Sequence, residues 1–316
     1  MSDSRETLQL EVGDDLATRT LAETVRRMLP GASWNRARDL CKRGKVRRNG
    51  VVTSDAALRV SVGDRIEIDP HARRLREHVL DENAIVHVDS DVVVVNKPAG
   101  VMSVPYEPSD KNTLVDRVRF WLRRETGFRG AELGVVQRLD KDTTGLMVFT
   151  RTLAAKRHLQ QLLRRHDVER RYVALVHGLL SAAQRFDTYL LSDRGDGLRG
   201  SAGRFRRVRG ALPQGAQRAV TDVLPRESFA DTSLVECQLS TGRQHQIRIH
   251  LSEAGHPLIG ERVYIRDYQG ELIAAERPML HAETLGFLHP RTGRMLRFTQ
   301  SPPEDFEATL RDLRLR

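Results

Sequence analysis

The sequence predicts an α+β protein in two parts: a small basic α+β unit, then a larger domain built on a mixed, largely antiparallel sheet with flanking helices. Three observations carry this. The chain has 316 residues, enough for two domains. Residues 71–79 are charged and unpatterned, and they separate two patterned stretches, 14–70 and 80–316. In the second stretch, apolar strand runs are joined mostly by turns and loops, with only a few helices between them. Apolar residues make up 39% of the chain, which supports a packed core.

In chain order, residues 1–12 read as a short charged tail. Thr20 and Glu23 have capping-box spacing and open a helix that runs to Leu29, where Pro30-Gly31 stops it. Ser33 is placed to cap a second helix, Trp34 to Arg43, with Gly44 just beyond its end. Val46-Arg47-Arg48 and Val51-Val52 flank Asn49-Gly50, a strong hairpin signal. Val62-Gly63-Asp64 is a turn, and Arg65 to Ile68 alternates as a strand. In the larger domain, Asp91 to Asn96 reads as a buried strand broken by Lys97-Pro98-Ala99-Gly100. Helices are expected at Thr113–Arg124, Leu153–Arg165 and Gln244–Ala254. Strands are expected at 146–149, 171–176, 233–239, 285–288 and 295–298.

Lys and Arg number 52 against 42 acidic residues, a net charge of +10. Arg-rich excess of this kind suits phosphate and base contact, so nucleic acid is the expected partner. Two basic clusters stand out. Arg36, Arg38, Lys42, Arg43, Lys45, Arg47 and Arg48 face a single acid, Asp39, and run from a helix through its C-terminal turn into a strand. Residues 194–218 carry seven arginines, Arg204, Arg206 and Arg207 among them, against Asp196 alone. A solvated face is the bland account of either cluster; continuity across elements and the shortage of acids favour RNA contact. The two cysteines, Cys41 and Cys237, have neither zinc spacing nor a disulfide framework. No apolar run spans a membrane, and the first residues lack the apolar core of a signal peptide, so a cytoplasmic protein is expected.

The chemistry concentrates in Val135-Val-Gln-Arg-Leu-Asp-Lys-Asp-Thr-Thr-Gly-Leu-Met-Val-Phe149, where an apolar run breaks to place Arg138, Asp140, Lys141 and Asp142 together and then resumes. A carboxylate between strands is usually a turn residue. Here the apolar flanks anchor the turn in a sheet, and Asp140 and Asp142 can point differently and hold separate tasks.

Arg138-Leu-Asp140-x-Asp142-Thr-Thr-Gly-Leu146 resembles the signature of the RluA family of RNA pseudouridine synthases. Further blocks of that family follow its order: Asn96-Lys-Pro-Ala-Gly100, Arg170-Arg-Tyr-Val-Ala-Leu-Val-His-Gly178, Thr241-Gly-Arg-Gln-His-Gln-Ile-Arg-Ile-His-Leu251, Gly255-His-Pro-Leu-Ile-Gly260 and Leu280-His-Ala282. The resemblance covers about residues 80 to 305. Residues 14–70 resemble the RNA-binding domain named after small-subunit ribosomal protein S-four, through the helix after Ser33, the Lys42-Arg-Gly-Lys-Val46 turn and the Asn49-Gly50 hairpin.

The resemblance implies a pseudouridine synthase fold and isomerisation of uridine, in which the glycosidic C–N bond is cut and the base is rejoined through C5. It implies no metal and no cofactor. It assigns Asp140 as the reacting carboxylate, Arg248 as the guanidinium that holds it, Tyr172 as the ring under a flipped base, and Arg138 as the side chain that fills the vacated place in the RNA. A carboxylate in a dry site serves as nucleophile or charge partner, and a guanidinium beside it favours the anion. Asp142 is assigned to the turn, paired with Arg138 or capping backbone N–H groups. Gln137 and Val104 depart from the histidines usual in the family and bear on substrate identity. Large-subunit rRNA is the expected substrate and tRNA the alternative; no DNA or membrane partner is expected, and the chain is read as a monomer. A non-catalytic ribosome-assembly factor is disfavoured by the intact trio, and a two-carboxylate glycosidase by the closeness of Asp140 to Asp142. The spacings of His245, His250, His256 and His281 match no common zinc pattern.

Overall fold

The computed structural model describes residues 7–72, 80–130, 132–203 and 211–316. They divide into two compact units, Met1–Val79 and Leu80–Arg316.

The first unit contains β1 (Leu8–Glu11), α1 (Leu21–Met28), α2 (Trp34–Lys42), β2 (Val46–Arg48), β3 (Val51–Val52) and β4 (Arg65–Ile68). Thr20 accepts from the Glu23 N–H and Ser33 from the Arg36 N–H, so both helices start where their caps stand. Asn49 and Gly50 both have positive φ, 52° and 81°, as a two-residue hairpin turn requires. The strands pair antiparallel in the order β1-β4-β2-β3 around a core that includes Leu21, Val25, Cys41, Val46, Ile66 and Ile68. The expected tail at residues 1–12 is corrected here: Leu8 to Glu11 forms an edge strand on β4, with Leu8 and Leu10 packed on the core. Four residues of alternation are too brief to separate from a charged terminus by pattern.

The second unit runs β5 (Ile85–Val88), β6 (Val92–Lys97), α3 (Leu114–Thr126), β7 (Gly134–Val135), β8 (Thr144–Thr150), α4 (Leu153–Arg165), β9 (Glu169–His177), β10 (Gln184–Leu191), β11 (Gly200–Ser201), β12 (Gln217–Ser228), β13 (Thr232–Leu239), α5 (Gln246–Glu253), β14 (Leu280–Leu288), β15 (Met295–Thr299) and α6 (Glu304–Leu315). Among the described residues these strands make one eleven-stranded sheet, ordered β11-β10-β12-β13-β9-β14-β8-β6-β5, with β15 on β14 and β7 on β8. Every pairing is antiparallel except β8 with β14.

The continuous apolar runs have a simple cause: both faces of the sheet are covered. Val93, Val95, Met147 and Phe149 share one core with Leu114, Val118 and Leu122 of α3. Val92, Val94, Leu146 and Val148 share another with Leu159 and Leu162 of α4. Alternation is therefore absent at the centre of the sheet. The parallel contact sets Thr144 opposite His281 and Gly145 opposite Ala282. Gly145 has φ +109°, and a Cβ there would stand 2.3 Å from the Ala282 carbonyl oxygen. Only glycine lets the two backbones meet this closely.

Candidate active site

The loop between β7 and β8 is built from the inside out. Leu139 is buried, so its neighbours Arg138 and Asp140 turn outward. Ser103 holds Leu139 twice, its Oγ donating to the carbonyl at 2.7 Å and accepting from the N–H at 3.0 Å. The Thr143 N–H closes the turn onto the Asp140 carbonyl at 3.2 Å.

Beneath that turn lies Lys97, fully buried at the end of β6. Its Nζ donates to the carbonyls of Pro98 (2.8 Å), Val101 (2.7 Å) and Lys141 (2.7 Å). One ammonium thus ties the Lys97–Gly100 break to the Asp140 turn. Burial pushes its pKa down to about 7, against the pull of Asp142 and Asp140. Arg277 adds a second tie, donating to the Asp142 carbonyl at 3.2 Å while gripping Asp305 with two hydrogen bonds. Neither Ser103, Lys97 nor Arg277 was singled out by sequence reasoning. Lys97 stood in a quoted block, and a lysine at the end of a buried apolar strand was the available signal.

Asp140 faces two donors. The Nη1 of Arg248 lies 3.6 Å from Oδ2, and the Nε2 of His245 lies 3.9 Å from Oδ1. Arg248 sits inside α5, whose Ile247 and Leu251 are buried in the core, so the helix is anchored and its polar side faces the turn. The rest of the guanidinium is held by Glu261: Nε to Oε2 and Nη2 to Oε1, both 2.7 Å. Glu261 is buried yet stays below the usual carboxylate range; burial alone would raise it, and Arg248 with the N–H groups of Arg262 and Val263 outweigh that. The Tyr264 ring lies 5.2 Å from the Arg248 guanidinium carbon, and its Oη is 2.7 Å from Nδ1 of His245.

A cavity of about 600 Å³ opens over these groups. Tyr172 on β9, 8% exposed, lines it with Leu280 and Ile247, and Arg164, Arg170, Arg218 and Arg243 lie around it. Burial raises the Tyr172 phenol, so it stays neutral. The structure therefore brings Asp140, Arg248, Tyr172 and Arg138 to one cavity. Arg138 is exposed and makes no hydrogen bond or ion pair with another described residue.

Two assignments are corrected. Among the described residues Asp142 neither pairs with Arg138 nor caps a backbone N–H; its field falls on the buried Lys97, and its carbonyl is taken by Arg277. The 194–218 segment is not short of acids in space. Arg194 is buried against Asp196, Glu253 and Asp267, and Arg218 pairs with Asp187 at 2.6 Å. Apart from Asp196, these partners lie outside the segment, where counting along it does not see them. Arg204, Arg206 and Arg207 lie outside the described residues.

In the first unit, Arg36, Arg38, Lys42, Arg43 and Arg47 are exposed, and the Arg26 and Arg38 guanidiniums lie 4.8 and 5.8 Å from the Trp34 ring centroid. Arg43 also pairs with Asp39 at 2.7 Å. Arg48 is turned into the fold, 2.7 Å from Asp64, and Lys45 donates to the Ala72 carbonyl. Those two hold the hairpin and the chain beyond β4, so the outward patch is smaller than the sequence cluster and gains Arg26 and Trp34.

One trio of possible metal ligands occurs among the described residues, Asp89, Asp91 and His289. Nδ1 of His289 accepts from the N–H groups of Arg291 and Thr292, which leaves the proton on Nε2, facing Asp89 at 3.1 Å. Arg291 takes both oxygens of Asp91. The trio is an internally satisfied network.

The RNA pseudouridylate synthase model matches residues 91–253, which span the Asp140 turn, Tyr172 and Arg248. This chain belongs to that family. The S4 domain model matches residues 19–66 of the synthase. Ribosomal large subunit pseudouridine synthase D of Zymomonas mobilis is 33% identical over 299 residues, covering 92% of this chain and 90% of its own. An uncharacterized RNA pseudouridine synthase of Bacillus subtilis is 34% identical, covering 89% and 90%. Among solved structures, human RNA pseudouridylate synthase domain containing 4 superposes with a TM-score of 0.60 at 25% identity, covering 73% of this synthase and 93% of the human chain. No helix among the described residues is long and apolar enough to cross a membrane.

Proposed function

We propose that this synthase converts uridines of large-subunit ribosomal RNA to pseudouridine, with Asp140 as the reacting carboxylate. The observation that carries the reading is the placement of Asp140 on a cavity wall with a braced guanidinium 3.6 Å away. The rRNA substrate is supported by relatives named for the large ribosomal subunit and by the S4 domain.

The uridine must first leave the RNA stack, since its reacting atoms are inaccessible inside a helix. Tyr172 supplies the apolar face against which the flipped base rests, worth roughly 1–3 kcal/mol. Arg138, exposed and uncommitted at the cavity, fills the vacated position. Asp140, with the Arg248 guanidinium beside it, acts as nucleophile or charge partner while the C1′–N1 bond breaks. The freed base turns, C5 bonds to C1′, C5 loses its proton and N1 gains one, so atoms and charge balance without an added reactant. The exposed face of the first unit, around Trp34, Arg36, Arg38, Lys42 and Arg47, grips RNA phosphates and positions the substrate without reading sequence. The protein acts as a monomer in the cytoplasm.

The test is tritium release from RNA labelled at uridine C5, with wild type and Asp140→Ala compared on rRNA and tRNA transcripts. Release from rRNA by wild type alone is expected. Full release by the variant removes Asp140 from the chemistry, and release from tRNA only overturns the substrate.

A further inference from the structure

His245 has no role in the uridine chemistry, yet its geometry in the cavity is tightly constrained. It is one of the few non-glycine residues with positive φ, 57°, at the N-terminal cap of α5. A non-glycine side chain in that backbone region is uncommon and strained. The strain aims the imidazole between two groups: Nδ1 lies 2.7 Å from Tyr264 Oη, and Nε2 lies 3.9 Å from Asp140 Oδ1. The rings of His245 and Tyr264 meet edge to face, 5.6 Å apart at 74°.

Charge settles the tautomer. Nε2 faces a carboxylate, so the ring proton belongs there, and Nδ1 then accepts from the Tyr264 hydroxyl. Burial raises the Tyr264 phenol to about 12, so that hydroxyl keeps its proton. The other charged groups facing the imidazole are Arg248, Glu261 and Arg199; burial, with Arg248 and Arg199, outweighs the pull of Asp140 and Glu261 and keeps it neutral.

We propose that His245 is a second positioning residue for Asp140, its Nε2–H directing Oδ1 while Arg248 directs Oδ2. The turn after Gly260 braces both donors: Glu261 takes two N–H groups of Arg248, and Tyr264 packs on Arg248 and fixes the His245 tautomer. This rests on the assignment of Asp140 as the reacting carboxylate. It predicts that the Glu261–Tyr264 turn controls turnover without touching RNA.

The substitution pair His245→Gln and His245→Asn separates this from a structural role, because the two accounts order the variants oppositely. Gln carries an amide nitrogen where Nε2 stands, whereas Asn reaches only as far as Nδ1. Asn, however, tolerates left-handed backbone better than Gln. If His245 serves only the backbone, Asn is the better replacement in both stability and rate. If it directs Asp140, Gln retains kcat within about threefold, while Asn and Ala lose about tenfold or more with KM for RNA unchanged. Tyr264→Phe, which frees the tautomer, loses a smaller factor in kcat.

Rates are read by single-turnover tritium release, with thermal unfolding run on each variant. Asn equal to or faster than Gln, or a folded His245→Ala variant within twofold of wild type, overturns the proposal. Asp140→Ala is measured alongside: if it is active, the underlying reading fails; if it is dead while His245→Ala is active, only this inference fails.

Discussion

Replacing Lys97 by Met tests the idea that one buried ammonium organises the Asp140 turn. Met matches the length of the aliphatic stem and removes the donor. Three carbonyls then lose their partner. That of Val101 sits at a buried bond and bears most of the desolvation penalty, about 1–3 kcal/mol, whereas those of Pro98 and Lys141 are part-exposed and can rehydrate. Against this, the variant no longer buries a charge, so the net loss near neutral pH is about 1–2 kcal/mol. The pH dependence is the sharper signature. Lys97 titrates at about 7 in the folded protein and 10.5 as a free side chain. Between those values the unfolded chain binds more protons than the folded one, so wild-type stability rises with pH and is lowest below 7. The linkage relation gives about 2 kcal/mol of gain from pH 7 to pH 9, absent from the variant. The difference between wild type and Lys97→Met should therefore widen by that amount. The chain has two tryptophans, Trp34 and Trp121, one in each unit; a Trp34→Phe background leaves Trp121 on α3 to report urea unfolding of the larger unit. Parallel stability curves for the two proteins over pH 7 to 9 would refute the reasoning.

In the first unit the cluster should split by role. Arg36→Ala with Arg38→Ala should lower the slope of log affinity against log salt by about 2, while Arg48→Ala leaves that slope unchanged and instead destabilises the unit by about 1–3 kcal/mol through loss of the Asp64 pair. Filter binding across a salt series and denaturant melts followed at Trp34 read the two effects. Gly145→Ala should cost about 3 kcal/mol or more, since its Cβ would meet Ala282 backbone on β14 at 2.3 Å in a left-handed φ; urea unfolding of the larger unit measures it.

Much of the fold was legible because its signals are local. The capped helices α1 to α4 begin at residues whose side chains or turns announce them, and the Asn49-Gly50 turn carries its own chemistry. The long strands β10 and β12 were not read, and the reason is physical. In β10 exposed and part-buried residues alternate over Gln184 to Leu191 with charged residues on the open side, so the run is too polar to count as apolar. The C-terminal half of β12 has the same character, with Pro225 and a register shift between Pro225 and Glu227. Helix α6 was also missed, though Phe306, Leu310 and Leu313 have helical spacing and pack beside Val173 and Leu175. At the site, the proposed roles of Asp140, Tyr172 and Arg248 come from resemblance to family blocks. Their supports, Ser103, Lys97, Glu261 and Arg277, act across 13 to 135 residues of sequence, and each looks unremarkable until its partner is in place.

The division of labour around Arg248 leaves Asp140, the carboxylate proposed to react, open to an incoming atom. A guanidinium has five N–H donors and readily clasps a carboxylate with two parallel bonds. Had Asp140 been clasped that way, both of its oxygens would be committed and its charge largely neutralised. Glu261 takes that place instead, occupying Nε and Nη2 at 2.7 Å. Only Nη1 is left toward Asp140, at 3.6 Å, with His245 at 3.9 Å on the other oxygen. Both separations exceed hydrogen-bond length, so the carboxylate is steered by field more than by contact and keeps lone pairs free for an incoming atom. The buried Glu261–Arg248 pair thus supplies a fixed, half-spent cation. Glu261→Gln keeps one acceptor and turns the other into a donor, so one of the two N–H groups is freed; the guanidinium can then turn toward Asp140, and this geometry implies a slower enzyme with a tighter Arg248–Asp140 contact.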